Sequence, residues 1–311
     1  PIALEAARKY RDIAPAVSHA RHMPSHIFIQ HGMWDLVSEW NESAYQVARE
    51  LWQPGDAVGE QNHATDWGQY GDLQRGDLER SRLWISRAEE TLSENPGDGR
   101  SLNTLKIMQA RHTIETRNWT LTEFSNDLTA DQLLALGMSA SNLDELDLAE
   151  RVAARLGELA SDSPNNSDLQ VMYAEVAALA KSKRAEELLR EGLTTDGLPQ
   201  QEEALALLRD AVERTEQGRL PNGAANPLKP VHELSGEIHL AFGLSREAAQ
   251  LFEESLLRLP NRPLSLLGAA RAYAAMGNKE KADAMYEQLL SVWSDDSWPS
   301  VREAKQFVAL N

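Results

Sequence analysis

The chain has 311 residues, a formal net charge of −17 and no cysteine. An acidic surface repels phosphate backbones, so no nucleic-acid partner is expected, and the missing thiols exclude disulfides and thiolate-held metals. No run approaches the ~18 continuous apolar residues of a membrane span, so a soluble protein is expected, with cytoplasm and periplasm both open.

Aromatic residues make up only 6% of the chain, while Ala, Leu and Glu are prominent, which favours helix over strand. Residues 1–15 open on PIALEAARKYRD, an amphipathic helix without the apolar stretch of a secretory signal. Next comes RHMPSHIFIQHGMWDLVSEW (21–40). With His19 just upstream, it gathers four of the chain's eight histidines: His19, His22, His26 and His31. Gly32 ends that helix, and Trp34, Val37 and Ala44 mark the buried side of the following one. QPGDAVGEQN (53–62) reads as a polar loop insertion. Gly76 repeats the turn, with Ser81, Ile85 and Ala88 after it. Residues 100–126, 130–160 and 167–193 read as degenerate helix pairs, with RNWTLTEF at the turn of the first. Ala149 and Ala185 take the small-residue position in the other two. EEALALLRDAVERTEQ (202–217) is one further helix, and GRLPNGAANPLKP (218–230) is a linker.

The C-terminal part repeats itself. HELSGEIHLAFGLSREAAQLFEESLLRLP (232–260) aligns with LSLLGAARAYAAMGNKEKADAMYEQLLSVW (264–293), so that Gly243 matches Gly277, Ala248 matches Ala282 and Phe252 matches Tyr286, each 34 residues apart. Small residues recur at Gly236 and Ala270, where helices must approach closely. Pro260 ends its helix because it lacks the amide donor for another turn. The chain thus divides into N-terminal and degenerate pairs over 1–217, a linker over 218–230, and two full repeats with a terminal helix over 231–311.

This pattern closely resembles the tetratricopeptide repeat, a helix pair with a glycine turn, and implies an all-α solenoid built as a superhelix of antiparallel pairs. In that register Ala3, Ala7, Tyr10 and Pro15 fall on second-helix positions of a repeat whose first helix is absent. A preceding repeat or another chain is therefore expected to cover residues 1–15. HMPSHIF, with HATDWGQY and PVHELSGE, also resembles a bacterial subset of these repeat proteins.

The resemblance implies a concave groove lined by the first helix of each pair, holding a peptide, protein partner or small ligand. Its groove positions are His19, His22 and His26 in the first full repeat, His63, Asp66 and Tyr70 in the second, and Glu233 and Glu237 later. Pro24 allows two geometries: inside the helix as a kink, or at its first position with His19 and His22 on an irregular lead-in. His26 faces inwards under both, and a helix N-terminus favours its neutral form.

A groove of His, Asp, Glu and Tyr departs from the Lys, Arg and Asn usual in peptide-binding members. Neutral imidazoles with a carboxylate make sites for a divalent metal such as Zn, Fe or Cu, and His22, His26, His63 and Asp66 are the candidate ligands. The plainer alternative is histidines that hydrogen-bond carbonyls and carboxylates in a polar groove. His63 and Asp66 also have the spacing of a general-base pair, which is equally common in structural roles. HELSGEIH is not a zinc-protease helix, since its second histidine comes at +7 and not +4. No GxSxG, GxxxxGK or GxGxxG motif is present, so no catalytic residue is assigned. Trp34, Trp119 and Trp293 suit packing. Trp67 lies beside the groove.

Overall fold

The computed structural model describes residues 2–218 and 220–310, and every regular element among them is an α-helix. After α1 (Ile2–Ile13) come the short α2 (Ser18–His22) and α3 (Ser25–Ile29), which pack on α4 (Trp34–Leu51). The second pair is α5 (Gly59–Gln74) and α6 (Leu78–Glu94), followed by α7 (Gly99–Thr116). Then come α8 (Ala130–Asn142) with α9 (Leu146–Asp162), and α10 (Ser167–Arg190) with α11 (Thr194–Glu216). The last pairs are α12 (Val231–Ala241) with α13 (Ser245–Arg258) and α14 (Pro263–Ala275) with α15 (Lys279–Val292), closed by α16 (Pro299–Leu310). From α3 onwards each helix packs on the next in the chain, as in a solenoid.

One turn device recurs. Gly32, Gly76, Gly243 and Gly277 all have positive φ, between 60° and 77°. Around each, two amides reach back to the preceding helix: Gly243 N–H to Leu240 O and Leu244 N–H to His239 O, and equivalently Gly277 to Ala274 and Asn278 to Tyr273. This paired bonding satisfies carbonyls that the helix end leaves without partners. The same device explains where the middle of the chain differs from its sequence reading. Asp144 adopts φ 61° between α8 and α9 without a glycine, and Gly192 at φ 79° separates α10 from α11. Residues 167–190 are therefore one long helix paired with α11, not a helix pair, because nothing in VMYAEVAALAKSKRAEELL breaks the run. Residues 117–129 have no second helix at all, and GEQN, read as part of the loop insertion, is the first turn of α5.

The superhelix turns back on itself, so its C-terminal pairs touch the first two A–B turns. Trp34 Nε1–H donates to Asn261 O (2.9 Å), Trp293 Nε1–H to Gln74 O (2.9 Å) and Trp298 Nε1–H to Gly76 O (3.3 Å). A Cβ on Gly32 would stand 2.3 Å from Pro260 O, whereas one on Gly243 meets nothing within 4 Å. Both substitutions carry the left-handed backbone cost; only the first also breaks the closure. Gly243→Ala is expected to cost about 1–2 kcal/mol in urea unfolding and Gly32→Ala roughly 2–5 kcal/mol. Equal losses would show that the closing contact contributes nothing.

Residues 218–230 are no free spacer. Ala225 joins the core around Phe28, Trp34 and Trp67, and Leu228 joins the core of α8 to α12. This strap therefore ties the N-terminal pairs to the middle of the solenoid. Of Ala3, Ala7 and Tyr10 on α1 only Ala7 is buried, with Leu4 packed beside it, and Pro15 lies exposed in the turn beyond the helix.

Candidate metal centre

Pro24 divides the first A helix but does not unravel it. It sits between α2 and α3 with φ −62° and ψ −21°, helical values that keep the two segments nearly in phase. His22 ends α2 and His26 opens α3, one turn apart, while His63 faces them from α5. The possible ligand atoms of His22, His26 and His63 all lie within 4.8 Å of one another. Trp67, buried on α5, closes the cluster from below, with ring centroids 4.8 Å from His22 and 4.4 Å from His26.

Outer partners define which nitrogens are free. His22 Nδ1 lies 2.7 Å from Asn41 Oδ1. The Asn41 amide donates through Nδ2 to Ser25 Oγ (2.9 Å) and Val37 O (2.7 Å), so its oxygen must be the atom facing the ring. His22 Nδ1 therefore carries the hydrogen, and Nε2 carries a lone pair. His26 repeats the logic. Its Nδ1 donates to the Asn222 carbonyl at 3.0 Å, which leaves Nε2 as a lone pair too. These two Nε2 atoms face each other at 3.2 Å.

Two lone pairs at that distance need something positive between them. A proton would serve only if one ring became cationic. His22 is almost fully buried, and burial is the main cause that pushes its pKa down to about 3, against the Asn41 bond that opposes it. The neighbouring imidazoles push the same way. Burial also lowers His63, with nearby Asp66 pulling in the opposite direction. A metal ion fits the gap. Two imidazoles at Zn–N distances of ~2.0–2.1 Å and tetrahedral angles place their nitrogens ~3.3 Å apart. His63 makes no hydrogen bond among the described residues, so a ring nitrogen remains available as the third ligand atom of the cluster.

The other expected groove residues are placed differently. Asp66 is not with the trio: its Oδ1 accepts from Arg111 Nη1 at 2.7 Å. Arg111 is buried, and withdrawing its carboxylate would strand a guanidinium out of water. His19 lies one turn outside the cluster, its ring 6.1 Å from that of His22. Tyr70 is completely buried, edge-on to Trp34 at 5.6 Å, and burial pushes its hydroxyl up to about 12. Glu233 is equally buried. Burial raises its carboxyl, but Arg262 (2.7 Å) and Lys229 (2.8 Å) outweigh that and hold it well below the usual range. Glu237 accepts from Lys229 and Arg117 at the edge of the same network. His31 is exposed at its turn, His112 pairs with Ser81, His232 with Glu216 and His239 with the Ser235 carbonyl.

Asn41 and Asn222 are absent from the sequence reading. For Asn41 a signal existed, a lone amide on the apolar side of WDLVSEWNESAY. For Asn222, in the segment read as a linker, none did. Gly223 beside it lies close under the Trp67 ring, where a Cβ would stand 3.0 Å from the ring. No protein-family model matches the chain, and no curated protein matches it.

Proposed function

We propose that this tetratricopeptide-like chain is a metal-binding protein whose centre is His22, His26 and His63. The supporting observation is the pair of facing Nε2 lone pairs at 3.2 Å, each fixed by an outer hydrogen bond. Three neutral imidazoles without a thiolate suit Zn, Cu or Fe. Among the described residues no fourth protein ligand stands with them, which leaves a coordination position for water or a small ligand, the pattern of reactive rather than purely structural zinc sites. Asn41 and the Asn222 carbonyl act as the outer groups that set ring tautomer and direction. The alternative of a peptide-holding groove has less support, because Tyr70 and Glu233 are buried and Glu237 is bound into ion pairs.

Titration of metal-free protein with Zn2+ tests the reading. His26→Ala and His63→Ala are expected to weaken binding roughly 100-fold or more, and Asn41→Leu about 10–100-fold, with helicity retained. Unchanged affinity in His26→Ala would reject the centre.

A further inference from the structure

Outside the trio lies a second layer built on the same two helices. His19 precedes His22 by three residues on α2, and Glu60 precedes His63 by three on α5. Residues three apart share a helix face, so each outer group stands one turn outward from an inner one. His19 Nδ1 and Glu60 Oε2 are 3.8 Å apart, and their side chains are 56% and 53% exposed. His22, directly beneath, is 1% exposed. Exposure thus falls over a single helical turn from the imidazole–carboxylate pair to His22, with His26 and His63 half-buried beside it.

We propose that His19 and Glu60 form the port through which the metal reaches the trio, an inference that rests on the trio being a metal centre. A hydrated divalent cation approaching a chain of charge −17 is drawn inwards, and the exposed carboxylate offers it a hard first contact. His19 then replaces a second water before the ion passes to His63 and His22, whose rings are 4.1 Å apart. Stepwise exchange avoids stripping the ion of all its water before any protein ligand is bound. On the other side the strap stands against the cluster, with the Asn222 carbonyl accepting from His26 and Gly223 close to the Trp67 ring. The ligand atoms within 4.8 Å of one another belong to His22, His26 and His63, and His19 is not among them.

A port and a permanent ligand leave different kinetic signatures. A group that touches the ion only in passing changes association and dissociation alike and leaves the equilibrium nearly untouched. Metal-free full chain is mixed with Co2+ in a stopped-flow instrument, following visible absorbance, for wild type and the double variant His19→Ala, Glu60→Gln. Both side chains are exposed, so the variant keeps its fold. Association is expected to slow about tenfold, dissociation by the same factor, and Kd to stay within about twofold. Unchanged association would overturn the port. Faster dissociation with weakened Kd would overturn it too, by making His19 a resident ligand. Wild-type protein that takes up no Co2+ would reject the metal centre itself, before any variant is compared.

Discussion

Arg262→Met is expected to destabilise the protein by about 3–5 kcal/mol, a large share of a typical domain's total stability. Arg262 is fully buried at the start of α14. Its guanidinium donates to Glu233 at 2.7 and 3.1 Å and to Glu115 at 2.9 and 3.0 Å. One planar fork therefore neutralises carboxylates from α7 and α12, a geometry lysine cannot reproduce. Removing it strands Glu115 without a cation, while Glu233 keeps Lys229. The cost comes from the uncompensated charges more than from the lost bonds. A triple variant that adds Glu115→Gln and Glu233→Gln is accordingly expected to recover part of the loss. Urea unfolding measures both; a loss below about 1 kcal/mol in the single variant would contradict this account of the junction.

Acid sensitivity of the metal-free protein is the second large effect. His22 is neutral in the folded state down to about pH 3, because burial opposes its charging, while an unfolded imidazole takes its proton near pH 6.5. Between those values the unfolded chain binds one more proton than the folded chain. Stability is therefore complete above the unfolded value and falls as pH drops through the window, by about 1.4 kcal/mol per pH unit for this ring. Buried Glu175 works in the other direction. Burial raises its carboxyl well above the usual value, so its folded form holds a proton that the unfolded form releases. The difference between wild type and His22→Gln isolates the histidine. Urea unfolding from pH 7.5 to 5 is expected to show the steeper loss in wild type, and parallel slopes would contradict the assignment.

The helical repeat was legible because its signals are local. A glycine at φ near 70° ends each first helix, and the 34-residue offset carries small residues to matching positions. Where the αL position is held by Asp144, or where Gly192 follows an unbroken run of helix formers, that signal fades and the boundaries shift. In the centre, register alone placed His22, His26 and His63 on facing helices. It failed for Asp66, whose counter-ion Arg111 lies 45 residues away, for Glu233, whose counter-ion Arg262 lies 29 residues on, and for Tyr70, which Arg262 approaches across 192 residues. Such partners come from other helices and are set by tertiary packing, which no local pattern encodes. Asn222 reaches His26 across 196 residues for the same reason.

The central claim is that three imidazoles from α2, α3 and α5 hold one metal ion. X-ray absorption at the zinc edge, on untagged protein loaded with one equivalent and dialysed, reads the coordination directly. The expected result is retained zinc with three imidazole nitrogens at ~2.0–2.1 Å and one further light ligand, lost in His26→Ala. Zinc removed by dialysis, an oxygen-only shell, or an unchanged spectrum in His26→Ala would contradict it.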